Sequence, residues 1–139
     1  MKTWLFKTEP STYSFDDLRK EGKTTWDGVK NPQALRNLAQ IEPGDRVLVY
    51  HTGDEKAVVG VARAVGEPRP DPRKKEPKLL VVDVEAVKPL RRPVTLAAIK
   101  GDTRFGGFDL VRLPRLSVMA VSDAQWAAIE SLSKETEGP

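Results

Sequence analysis

Between Leu79 and Val87 the chain reads Leu-Leu-Val-Val-Asp-Val-Glu-Ala-Val, an apolar start that passes into alternation of polar and apolar residues. A period of two belongs to a strand with one dry and one wet face, so the rest of the chain must supply partner strands and something apolar to cover the dry side. Other segments meet that need. Trp4 to Lys7 reads as a short strand that Pro10 stops, because proline cannot donate to a sheet ladder. Arg46–Tyr50 and Ala57–Val65 are β-rich runs joined by Thr52-Gly53-Asp54-Glu55-Lys56, the pattern of a hairpin with a polar turn. Gly60 interrupts the second run and marks a bulge or a close approach of another group. Leu116–Val121 reads as a further strand.

Helix signals fall between and around these strands. Ser14 is an N-cap followed by Asp16 and Asp17, with Arg19, Lys20 and then Gly22 at the other end. Asn31 caps a second helix that opens with Pro32 and repeats Leu35, Leu38 and Ile41 on one face until Pro43-Gly44. Thr95 caps a helical turn that Gly101 closes, and Ser122 with Gln125 forms a capping box before Trp126, Ile129 and Leu132. The tryptophans Trp4 and Trp126 read as core by this periodicity. Repeats and long linkers are absent from a chain of 139 residues, so residues 1–139 read as one domain. The expected class is α+β, with five or six mostly antiparallel strands in a small curved sheet or barrel and helices at its periphery.

Composition removes much chemistry. With no cysteine and one histidine, the chain alone cannot build a disulfide framework, an iron–sulfur cluster, a cysteine nucleophile or a Cys/His zinc site, and no metal or other cofactor is expected. The apolar stretch at Trp4–Phe6 is too short for a signal peptide, no run is long enough for a membrane span, and a cytoplasmic location is the expectation. A net charge of +3 and a pI near 9.2 permit a polyanionic partner. Residues 63–99 carry nine basic and five acidic side chains, whereas residues 116–139 carry one and four. The densest basic run, Arg69, Arg73, Lys74, Lys75 and Lys78, is interspersed with Pro68, Pro70, Pro72 and Pro77, which keep it out of any helix. It reads either as a solvated loop or as one that contacts phosphates.

Short motifs are less informative. Gly22-Lys23-Thr24 mimics the end of a phosphate-binding loop, but Asp17 stands where the first glycine is required. His51 follows a strand and is either a hydrogen-bonded structural side chain or a base working with Asp54 or Glu55. In Thr24-Thr25-Trp26-Asp27-Gly28-Val29-Lys30-Asn31 a large aromatic lies in the connection just before a well-capped helix. Trp26 either fills the core under that connection or lines a cleft in which a flat ligand stacks.

The strings Trp4-Leu5-Phe6-Lys7-Thr8-Glu9-Pro10, Tyr13-Ser14-Phe15-Asp16-Asp17-Leu18, Trp26-Asp27-Gly28-Val29-Lys30-Asn31 and Gly44-Asp45 before Val47-Leu48-Val49-Tyr50-His51 resemble the EVE domain family. Val59-Gly60-Val61-Ala62, Pro70-Asp71-Pro72, Arg92-Pro93-Val94-Thr95-Leu96 and Arg115-Leu116-Ser117-Val118 continue the resemblance in order along nearly the whole chain. The resemblance implies a PUA-like pseudo-barrel, related to the YTH and ASCH domains, that reads RNA or DNA. It further implies a non-catalytic module that receives a modified, for example methylated, base. By analogy with YTH domains Trp26 would stack on the base, with Asp27, Lys7, Thr8, Glu9, Asn31, Tyr50, His51 and Thr52 as the polar and flanking groups of the pocket. Arg69, Arg73, Lys74, Lys75, Arg91 and Arg92 would hold the strand's backbone. One departure concerns the position before Pro70-Asp71, where family members often carry an aromatic and this chain has Arg69. The second wall of the pocket then falls to Tyr50, Phe105 or an aliphatic residue such as Leu116. The alternative function is a small enzyme acting on a nucleotide or modified base, with His51, Glu9 or Lys7 as acid or base.

Overall fold

The computed structural model of the chain describes residues 1–134, so Glu135 and Glu137 of the acidic C-terminal stretch lie outside the described residues. The fold is built on a mixed sheet whose strands are β1 (Thr3–Thr8), β2 (Lys23–Trp26), β3 (Arg46–His51), β4 (Ala57–Ala64), β5 (Arg69–Pro70), β6 (Leu80–Thr95) and β7 (Val118–Val121). The spatial order is β2-β6-β4-β3-β1-β7, and β5 pairs with the first residues of β6. Only β1 and β3 run parallel among the described pairs. Strands β2 and β7 do not pair with each other, so the curled sheet is a pseudo-barrel and not a closed ring. The class is α+β, as the patterning predicts.

Among the described residues seven strands stand where about five or six are predicted. Lys23–Trp26 reads as a connection because Lys-Thr-Thr-Trp has no apolar alternation, yet it pairs antiparallel with Val82–Glu85, placing Trp26 opposite Val82. Strand β6 also runs through Pro89 and Pro93 instead of stopping before them. Pro89 lies opposite Gly60 between two breaks in the β4–β6 register, a bulged stretch in which a missing N–H costs little. Gly60 itself is the close approach its position predicts: a Cβ there would come to 2.4 Å from the Phe15 ring.

The helices sit where their caps put them. In α1 (Phe15–Glu21) the Ser14 hydroxyl accepts from Asp17 N–H while the Asp17 carboxylate accepts from Ser14 N–H. In α2 (Pro32–Leu38) Asn31 Oδ1 accepts from Ala34 N–H at 3.0 Å. Two shorter helices, α3 (Leu96–Lys100) and α4 (Asp109–Arg112), precede β7, and α5 (Asp123–Lys134) follows it. Among the described residues no helix is long and apolar enough to cross a membrane. The core gathers Trp4, Leu5, Phe6, Leu18, Leu38, Leu48 and Ile129. Trp126 differs from its expected place. It is only partly buried, with the Arg46 guanidinium 4.6 Å above its ring.

Candidate functional site

A cleft of about 880 Å³ opens where the C-terminal ends of β1 and β2 meet β5 and the loop that follows it. That volume falls in the range of small-molecule and base pockets. Trp26 belongs to both of its possible readings. Its indole packs against Phe6 with ring centroids 5.3 Å apart and meets Tyr13 edge-on at 6.2 Å, and its remaining 8% of exposed surface lines the cleft.

Five of the nine expected pocket residues line the cleft: Lys7, Thr8, Glu9, Trp26 and Asp27. The other four do not. Asn31 is spent as the cap of α2. Tyr50 is 3% exposed and turns its ring toward the Lys7 ammonium, 5.8 Å away. His51 is buried, its Nε2 accepting from Phe15 N–H at 3.0 Å and its Nδ1 lying 2.8 Å from Glu55 Oε1, so Nδ1 carries the proton and both ring nitrogens are engaged. Thr52 stands behind the lining, its N–H donating to the Thr8 carbonyl and its hydroxyl within 3.3 Å of Glu9 Oε2. The expected second wall is also corrected. Phe105 and Leu116 are buried elsewhere, and the aromatic beside Trp26 is Tyr13, whose hydroxyl donates to Glu21. Of the expected backbone contacts, Arg69 and Arg73 line the cleft and Lys74 and Lys75 are exposed on the same loop. Arg91 borders a separate depression with Lys88 and Trp126, and Arg92 follows it on β6, so these two are not brought to the cleft. Thr12, Tyr13, Thr24, Thr25, Asp71 and Pro72 complete much of the lining without having been expected there. The Thr24-Thr25 pair beside Trp26 and the Asp71 inside Pro70-Asp71-Pro72 were the available signals.

Charges on the lining balance: Lys7, Arg69 and Arg73 face Glu9, Asp27 and Asp71. They are not equivalent. Arg69 pairs with Asp83 at 3.2 Å, and Arg73 pairs with Asp27 and with Asp71. Lys7, near the end of β1, and Glu9, just after it, have no charged partner among the described residues. The Lys7 ammonium donates to the Pro114 carbonyl at 2.8 Å, and burial lowers its pKa. Glu9 accepts from Ser11 N–H and Ser11 Oγ and rests against Gly53, where φ is +75° and a Cβ would approach Glu9 Oε2 to 2.9 Å. Thr8 Oγ1 donates to the Tyr13 carbonyl at 2.7 Å and so fixes the loop that carries both aromatic and carboxylate. The cleft therefore offers a charged donor, a charged acceptor and an indole around a space large enough for one planar heterocycle.

The EVE domain model matches residues 2–132. The chain belongs to the EVE domain family. Among its relatives, human thymocyte nuclear protein 1 is 32% identical over 70% of this chain, and the mouse protein is 31% identical over 96%. The match spans 55% of the human sequence and 74% of the mouse one. A solved protein of Rhodopseudomonas palustris superposes on this EVE domain with a TM-score of 0.91 at 36% identity, covering 99% of this chain and 97% of that one. Human thymocyte nuclear protein 1 in complex with DNA containing 5-methylcytosine superposes with a TM-score of 0.91 at 26% identity, covering 99% of this chain and all of that one. An ASCH protein of Zymomonas mobilis shares the fold, with a TM-score of 0.62 at 15% identity.

Proposed function

We propose that this EVE domain is a non-catalytic module that receives a methylated nucleobase in the cleft beside Trp26, on a strand held by the basic loop. The observation that carries the reading is an indole bordering an open cleft in a fold shared with a human protein solved on DNA containing 5-methylcytosine. That complex favours DNA as the partner.

The energetics suit the reading. A base extruded from its stack costs a few kcal/mol, and an aromatic platform returns about 1–3 kcal/mol for a stacked base. A methyl group moved from water to an apolar wall adds about 0.8 kcal/mol, which sets the scale of discrimination between methylated and plain bases at about fourfold unless desolvation enlarges it. Lys7 and Glu9 supply donor and acceptor to the base edge. Lys74 and Lys75, exposed on the loop outside the lining, add affinity that carries no sequence information. The commitment of both His51 nitrogens argues against that residue as a base in turnover.

The test is a comparison of otherwise identical oligonucleotides carrying one 5-methylcytosine or one cytosine, followed by indole fluorescence, with the nucleosides analysed afterwards by mass spectrometry. Tighter binding of the methylated strand, recovered unchanged, is the expected result. Equal affinity, or a converted base, contradicts the proposal.

A further inference from the structure

Strand β5 and the loop after it are fastened to the β2 side of the cleft at two points, by Arg69 of β5 and Arg73 of the loop, and each fastener is an Arg–Asp ion pair. Arg69 Nη2 lies 3.2 Å from Asp83 Oδ1, an oxygen that also accepts from Thr25 Oγ1 at 2.7 Å. Asp83 lies opposite Thr25 in the β2–β6 ladder, so this fastener is part of the sheet. The second reaches from Arg73 to Asp27, the residue after Trp26.

Arg73 is held very differently on its two sides. Asp71, 5% exposed, accepts from the Arg73 N–H at 2.9 Å and from Nε at 3.4 Å. Its own N–H donates to the Leu79 carbonyl and its own carbonyl accepts from Lys74 N–H, so the carboxylate that aims the guanidinium is anchored by the backbone. Pro70 and Pro72 restrict the loop just before Arg73. On the other side stands Asp27, exposed, with Arg73 as its one hydrogen-bonding partner among the described residues. A guanidinium preset by a buried carboxylate and covered by an exposed, replaceable one can exchange that cover without the loop moving. Its planar fork accepts phosphate oxygens as readily as a carboxylate.

We infer that Arg73 is the phosphate seat of this cleft and that Asp27 is its internal competitor, displaced when the phosphodiester next to the bound base arrives. This rests on the reading of the cleft as a base pocket. A base that reaches Trp26 brings its own backbone phosphate to the mouth, and of the two lining arginines Arg69 is tied into the ladder while Arg73 is tied to an exposed side chain. The consequence runs against the usual expectation for a pocket residue: removing the Asp27 charge strengthens binding.

The experiment is a double-mutant cycle. Affinity for an oligonucleotide with one 5-methylcytosine is measured by fluorescence anisotropy for the wild type, Asp27→Asn, Arg73→Ala and the double variant, with thermal melts to confirm the fold. Asp27→Asn is expected to tighten binding about threefold to tenfold, Arg73→Ala to weaken it at least as much, and Asp27→Asn to have no effect once Arg73 is gone. If Arg73→Ala does not fold, Arg73→Lys, which keeps the charge and loses the fork, completes the cycle with the same signs. Weaker or unchanged binding by Asp27→Asn, or an equal effect in both backgrounds, overturns the inference. Trp26→Leu separates it from the base-pocket reading. Loss of binding in Trp26→Leu without coupling in the cycle removes the phosphate seat alone, undiminished binding in Trp26→Leu removes the base pocket, and a wild type that binds no oligonucleotide removes both.

Discussion

Asp45 gathers three donors from the start of the chain and the turn before β3: Lys2 N–H and Glu42 N–H, each at 3.0 Å, and the Trp4 indole N–H at 3.0 Å. Burial by itself pushes its carboxyl up, but these bonds and the nearby N-terminal amine more than offset it and leave the group below the usual carboxylate range. A carboxyl depressed in the folded state contributes stability that is complete above its unfolded pKa of about 3.9 and is lost as pH falls through the folded value. Acid melts are therefore expected to show the wild type losing stability below about pH 4, with Asp45→Asn losing less over the same interval. Asp45→Ala, which strands the buried indole N–H, is expected to cost about 2–4 kcal/mol in urea unfolding. At the cleft, Glu9 sets a different test. A carboxylate accepts from the cytosine amino group and repels the thymine O4, while both 5-methylcytosine and thymine carry the same methyl. An oligonucleotide with 5-methylcytosine is expected to bind at least fivefold tighter than one with thymine, and Glu9→Gln, which can donate, to lose most of that preference. Equal affinity of the wild type for both contradicts this role for Glu9. Residue roles were only partly legible. Asn31 carried two signals in one side chain, and the cap, being local, took it; Tyr13 lay in a recognisable string, but nothing in one dimension placed its ring beside Trp26.

At the scale of elements, α1 is locked to the sheet at two adjacent points. The Phe15 ring lies over Gly60 of β4 and the Phe15 N–H donates to His51 at the end of β3. The segment leading into α1 carries Thr12 and Tyr13 into the cleft, so the lock on the helix also sets one wall of the site. Gly60→Ala is expected to destabilise the protein by about 1–3 kcal/mol, because a buried ring must move to admit one methyl group. A thermal melt checks it, and an unchanged midpoint would show that Phe15 has room that its packing does not reveal. The same elements show why sequence reading succeeded unevenly. Ser14, Asn31, Thr95 and Ser122 act within a few residues of themselves, and all four caps form. Strand β2 and the far half of β6 depend on distant partners. Lys-Thr-Thr-Trp becomes a strand because Val82–Glu85 is beside it, and Pro89 and Pro93 are tolerated because β4 is bulged opposite the first.

For the whole molecule, the proposed function divides the labour of binding between the sheet and the basic loop. Lys7 and Trp26 stand on paired backbone at the ends of β1 and β2, with Glu9 directly after β1, and under the proposed function that pairing gives the base-facing groups their rigidity. Strand β5 and the proline-rich loop after it place Arg69 and Arg73 at the lining and Lys74 and Lys75 outside it, where, under that proposal, charge supports affinity on any strand. Because Trp26 is also packed on Phe6, its replacement by alanine would open a cavity and confuse loss of fold with loss of function. Trp26→Leu keeps apolar bulk and removes the planar ring. The most direct measurement is thus the affinity of Trp26→Leu, shown to be folded by its melt, for an oligonucleotide containing one 5-methylcytosine. A loss of about tenfold to a hundredfold, the value of one stacked base, is the predicted result. Affinity equal to that of the wild type would contradict the account.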